Sequence, residues 1–154
     1  MKLSNNGTKL IKAFEGLVLH PYKDVAGVWT IGYGSTSYAD GKAVKAGDKP
    51  ITKAQADELF GKTLEQYETA VNKSVHVPLT QNQFDALVSF TYNEGIGALK
   101  QSTLLKKLNL KDYVATAECF SAWNKITDPH TGKKVVCDTL TKRRAKESNL
   151  FKQL

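Results

Sequence analysis

Fifteen aspartates and glutamates punctuate this 154-residue chain. Most sit where a solvated helix face would put them, such as Asp57, Glu58, Glu65 and Glu68. Glu15 differs by position. It follows Phe14 and precedes "GLVL", so its carboxylate emerges among apolar neighbours at the end of a helical pattern. There it also faces the negative end of the helix dipole. Both effects disfavour the charged form, which is what a general acid near neutral pH requires. Nine residues on, Asp24 lies in "YKDVAG", a polar turn that keeps a carboxylate solvated. Two carboxylates in contrasting environments suit glycoside hydrolysis, where one protonates the leaving oxygen and the other acts on the opposite face of the sugar. Six residues further, Thr30 in "GVWTIGYG" carries a hydroxyl able to orient a water beside Asp24. Each of the three also has a plain structural reading: a helix-end glutamate, a turn-forming aspartate, a β-branched strand residue.

Other chemistries find less support. His20, His76 and His130 lie far apart, and no Cys-x-x-Cys or His-Glu-x-x-His spacing advertises a metal site. The "GYGST" segment at 32–36 is not a dinucleotide fingerprint, because Ser37 stands where the third glycine would be, and no Walker lysine follows a glycine loop. Its glycines read better as strand bends or places of close backbone approach. There is no Gly-x-Ser-x-Gly elbow. Neither a cofactor nor a metal is expected.

The elements that must position Glu15, Asp24 and Thr30 can be read in order. Leu10, Ile11 and Phe14 form a stripe, so residues 6–15 are expected to be a short helix stopped by Gly16. From Leu17 to Ser37 the chemistry changes to Val, Tyr, Trp, Thr and Ile, broken by Pro21, Gly27, Gly32 and Gly34, which predicts strands and turns. Asp40-Gly41 adds a hairpin turn. Thr52 with Gln55, and Thr80 with Gln83, read as capping boxes opening two helices. The second of these presents Phe84, Leu87, Val88 and Thr91 on one face and ends at Gly95 and Gly97. Ser102 and Asp112 cap two more, the latter placing Val114, Ala117 and Phe120 on one side. A last helix is expected from about Thr141 to Phe151. The sum is an α+β, mostly helical fold: a short helix, a small sheet and five helices.

Length indicates one domain. No stretch approaches the roughly 18–20 apolar residues that cross a bilayer, and the N-terminus lacks a secretory apolar run, so neither membrane insertion nor export is expected. The net charge of +7 favours polyanionic partners or serves solubility. Cys119 and Cys137 fit free thiols better than a disulfide scaffold, although the sequence does not decide whether they pair.

Glu15, eight residues, Asp24, five residues, Thr30, then "IGYG" resembles the catalytic signature of the phage-type lysozymes, the endolysins or muramidases. The likeness continues through "VPLTQNQFDALVSFTYNEGIGALKQSTLLKKLN" at 77–109 and into "TLTKRRAKESNLF", similar to the family's C-terminal Arg-Arg helix. Ser35 stands where many relatives carry His, and Thr139 where a Gly-Leu pair is usual; neither is one of the three positions. The resemblance implies a lysozyme-like domain over 1–154, with a β lobe at about 17–50 and a helical lobe at about 51–154 plus the first helix, flanking a cleft. It implies Glu15 as general acid and Asp24 and Thr30 holding the water; substrate-binding residues are not indicated. The implied activity is hydrolysis of the β-1,4 bond between N-acetylmuramic acid and N-acetylglucosamine in peptidoglycan. The protein would act as a monomer, made in the host cytoplasm and released to the wall by a separate membrane-permeabilising protein. Two alternatives stay open: a lytic transglycosylase on the same bond, and a basic nucleic-acid-binding module with "KRRAK" at 142–146 as its footprint.

Overall fold

A computed structural model describes all residues, 1–154. Eleven elements follow in order: α1 (Asn5–Glu15), β1 (Val18–Lys23), β2 (Trp29–Gly32), α2 (Lys53–Ser74), α3 (Gln81–Glu94), α4 (Ile96–Gln101), α5 (Thr103–Asn109), α6 (Tyr113–Cys119), β3 (Lys125–Thr127), β4 (Lys134–Val136) and α7 (Asp138–Lys152). A single 3-10 turn at Phe120–Ala122 follows α6. The α+β expectation holds, with two antiparallel hairpins, β1–β2 and β3–β4. The chain divides into two compact units, Lys9–Tyr67 and Met1–Thr8 with Glu68–Leu154. Their boundaries fall inside α1 and α2, whereas the sequence reading draws the line near residue 50.

In the Lys9–Tyr67 unit, Gly16 adopts φ +70°, and its N–H donates to the Lys12 carbonyl at 2.9 Å. That left-handed step is open to glycine at little cost, and it ends α1 at Glu15. β1 and β2 then pair with Tyr22 opposite Thr30 and Lys23 opposite Trp29; the register shifts between Val18 and Tyr22. Pro21 lies in that irregular stretch, where its missing N–H is tolerated. The core of this unit is Ile31, Val44 and Leu59, with Trp29, Tyr38 and Ile51 packed around them. The α2 capping box forms as read: Gln55 N donates to Thr52 Oγ1 at 3.1 Å, and Thr52 N to Gln55 Oε1 at 2.8 Å. Asp57 is no idle surface acid. It accepts from Lys12 at 2.9 Å, Tyr33 at 3.1 Å and Lys53 at 3.2 Å, and the Lys12 and Lys53 ammonium groups with the Tyr33 phenol lower its pKa to about 2.

The other unit is built on α3, whose residues 83–91 are all buried. Phe84, Leu87, Val88 and Thr91 are fully enclosed, as their shared face predicts. Phe90 meets Phe120 and Trp123 edge-on, at 5.7 and 5.3 Å between ring centres. The caps at Thr80, Ser102 and Asp112 all form. Four details depart from expectation. Gly97 lies within α4 rather than ending α3, which stops at Gly95 with φ +103°. Val114 is exposed, because the buried side of the short α6 is centred on Thr116 and Ala117. Helix α7 begins at Asp138, three residues early, with an acid suited to the positive end of its dipole. Glu68, assigned to a solvated face, accepts from Leu3 N at 2.7 Å. Cys119 and Cys137 are both free thiols.

Gly7 shows how tightly the N-terminal segment is held. Fully buried Asp85 accepts from Ser4 N at 3.1 Å, from the Ser4 hydroxyl and from Gln81 Nε2 at 2.8 Å. A Cβ on Gly7 would lie 2.6 Å from Asp85 Cγ and 2.7 Å from Leu3 Cδ2. Gly7→Ala is therefore expected to destabilise by about 1–3 kcal/mol through overpacking, against alanine's better helix propensity. A melting temperature equal to or above the parent's would contradict this.

Candidate active site

Glu15, Asp24 and Thr30 all lie in the Lys9–Tyr67 unit. The chain connects them by a short route. Helix α1 ends at Glu15, Gly16 turns the backbone, β1 runs out to Lys23, and Asp24 opens the turn that returns through β2 to Thr30.

Asp24 is itself the organiser of that turn. Its Oδ1 accepts from the N–H groups of Ala26 and Val28, each at 2.9 Å. Its N–H donates to the Val28 carbonyl, and its carbonyl accepts from Gly27 N, both at 2.9 Å. The turn-forming reading of Asp24 is correct. Two amide donors on one oxygen fix the plane of the carboxylate, while Oδ2 takes no part in the turn. A carboxylate oriented by backbone is preorganised rather than mobile.

Thr30 is almost wholly enclosed, 3% exposed. Its hydroxyl donates to the Val28 carbonyl at 2.9 Å, so the O–H hydrogen is committed to the backbone. What Oγ1 can still offer is lone pairs. A hydroxyl in this state accepts a hydrogen bond from a water and does not compete for that water's own acceptor sites.

Glu15 makes its presence felt through the phenols around it. The Tyr22 hydroxyl is held above its ordinary pKa, first by burial and then by the negative charges of Glu15 and Asp24. Tyr67, on α2, is raised by burial and by Glu15. Glu15 and Asp24 thus both act on the same phenol. Sequence reasoning passed over Tyr22 and Tyr67. The signal for Tyr22 was its place two residues before Asp24, on the strand that must pair with Thr30; nothing in the sequence pointed to Tyr67.

The "KRRAK" cluster meets a different fate. Arg143 and Arg144 are buried, 5% and 1% exposed, and so is Glu147 at 0%. Arg143 Nε lies 3.3 Å from Glu147 Oε2, which also accepts from the Ser89 hydroxyl. Arg144 Nη1 approaches Glu147 Oε1 at 2.9 Å, a charge contact without hydrogen-bond alignment. Arg144 also donates to Asn93 Oδ1 and stacks over Phe90 at 5.2 Å. Two of the four cations are thus structural, and the segment does not form a basic surface stripe.

Residues 12–147 match the phage lysozyme family. The chain is 41% identical to the endolysin of Salmonella phage P22 over 152 residues, 98% of each. Its fold superposes on the endolysin of Escherichia coli O157:H7 phage FAHEc1 with a TM-score of 0.91 and 46% identity, covering 99% of this chain and 94% of that one. The muramidase domain of SpmX from Asticaccaulis excentricus follows at 0.86 and 38%, covering 99% of each.

Proposed function

The chain belongs to the phage lysozyme family, and on that premise we propose that Glu15, Asp24 and Thr30 are its hydrolytic centre. It is a lysozyme-type glycoside hydrolase, an endolysin that cleaves peptidoglycan in host lysis. The bond we assign is the β-1,4 link between N-acetylmuramic acid and N-acetylglucosamine. Glu15 gives its proton to the glycosidic oxygen as the bond to the anomeric carbon breaks. Asp24 Oδ2 and Thr30 Oγ1 accept hydrogen bonds from a water on the opposite face, whose oxygen attacks that carbon while Asp24 takes up a proton. The observation that carries this reading is the β1–β2 hairpin: Asp24 at its turn, Thr30 in its second strand, and Tyr22 opposite Thr30 under the charge of both acids.

The wider reading follows from the family: a monomer without cofactor, metal or nucleic-acid partner, made in the host cytoplasm and delivered to the wall by a separate membrane-permeabilising protein. The net charge of +7 suits an anionic wall. No helix is long and apolar enough to cross a membrane. Burial of Arg143 and Arg144 weighs against the nucleic-acid alternative. Mass analysis of digested peptidoglycan separates the remaining two. Hydrolysis yields reducing muramic acid ends; products lighter by one water, as anhydro sugars, would assign the transglycosylase reaction instead.

A further inference from the structure

Three segments of the Lys9–Tyr67 unit converge on one carboxylate. Asp57 of α2 accepts on Oδ1 from Lys12 Nζ at 2.9 Å and from the Tyr33 hydroxyl at 3.1 Å, and on Oδ2 from Lys53 Nζ at 3.2 Å. Lys53 belongs to α2 itself. The other two donors come from the segments that carry the proposed centre. Lys12 lies in the last turn of α1, three residues before Glu15, and its carbonyl accepts the Gly16 N–H that closes that turn. Tyr33 follows directly on β2, three residues after Thr30. Ile31 and Ser35 exchange backbone hydrogen bonds at 2.9 and 3.0 Å on either side of it, so Tyr33 stands in a closed tight turn. Its ring packs on Phe60 of α2 at 5.1 Å, with the Lys12 ammonium 5.0 Å from the ring centre.

The Lys12 and Asp57 side chains are 28% and 36% exposed, and an ion pair so open to water adds little to stability. What the arrangement supplies is geometry: two donors from separate segments meet on a single oxygen of a long helix. We propose, resting on the hydrolytic reading above, that Asp57 is a positioning residue that ties the last turn of α1 and the turn after β2 to α2, and so fixes the backbone from which Glu15 and Thr30 project. Helix ends fray, and acid catalysis with an aimed water needs its groups held to a fraction of an ångström. The tie also endurs across the working pH range, because Lys12, Lys53 and Tyr33 keep the Asp57 carboxyl charged down to a pKa of about 2.

The test is Asp57→Ala, assayed on purified labelled peptidoglycan well below its melting temperature, beside Lys12→Met, Tyr33→Phe and Lys53→Met. A displacement of about 1 Å can cost on the order of 10²-fold, so Asp57→Ala is expected to lower kcat roughly tenfold or more with KM near the parent's. Lys12→Met and Tyr33→Phe should each show part of that loss. Adding either to Asp57→Ala should cost nothing further, because both act through the same oxygen. Asp57→Asn keeps a neutral acceptor for both donors and should recover part of the rate. Lys53→Met removes a partner of the same carboxylate without touching either segment of the site, and should leave kcat unchanged. If Asp57→Ala folds poorly, Tyr33→Phe decides, since it keeps the ring and loses only the hydroxyl. A kcat near the parent's, a raised KM at unchanged kcat, or an equal loss in Lys53→Met overturns the proposal for Asp57 alone. An active Glu15→Gln would instead overturn the hydrolytic reading beneath it.

Discussion

Glu15→Gln is expected to abolish clearing of outer-membrane-stripped bacteria while leaving the melting temperature near the parent's. Glutamine is nearly isosteric and keeps the hydrogen-bonding oxygen, but it has no proton to give to a glycosidic oxygen. General-acid assistance is worth roughly 10²–10⁴-fold, and in this reading the reaction has no other acid: Asp24 is anchored by two amides in its turn. The helix end should tolerate the change, because α1 is terminated by the left-handed Gly16 rather than by the Glu15 side chain. A folded Glu15→Gln protein that clears walls at near the parent rate would sink the assignment.

The second expectation is stereochemical. If Asp24 attacked the sugar directly, configuration would be retained and the carboxyls would stand about 5–5.5 Å apart; if it holds a water, about 6.5–9.5 Å, with inversion. The state of Thr30 favours water. With its O–H hydrogen on the Val28 carbonyl, Oγ1 accepts one hydrogen bond from the water and leaves the water's oxygen lone pair aimed elsewhere. Thr30→Val removes that acceptor with little change of shape, so activity should fall on the order of 10²-fold as the water loses its anchor. It also removes the bond to Val28, worth about 1 kcal/mol of stability, so Thr30→Ser is the control that keeps the hydroxyl. Proton NMR of freshly released product reads the anomer. An initial β-anomer, or a covalent sugar on Asp24, would exclude inversion and leave the glycosidase function standing.

Much of this molecule is decided locally. The caps at Thr52, Thr80, Ser102 and Asp112, and the glycine stop after Glu15, form as their side chains dictate, because a cap needs only residues three or four apart. The buried face of α3 is legible for the same reason of short-range periodicity. Glu15, Asp24 and Thr30 stand out through their spacing, which puts them at the end of α1, in the β1–β2 turn and in β2. Other features exist only in three dimensions. The β3–β4 hairpin is built from three-residue strands exposed throughout, so no burial marks it in one dimension. Asp57 looks like any acid on a helix until Lys12 and Tyr33 reach it across 45 and 24 residues. Arg143 and Arg144 resemble a surface charge run, and only the packing of α7 against α3 brings Ser89 and Asn93 to meet them. Tyr22 comes to stand opposite Thr30 only through strand register. Pairing across a sheet and ion pairs between distant segments depend on which surfaces meet, and that is set by burial of the whole chain rather than by any residue's neighbours in sequence.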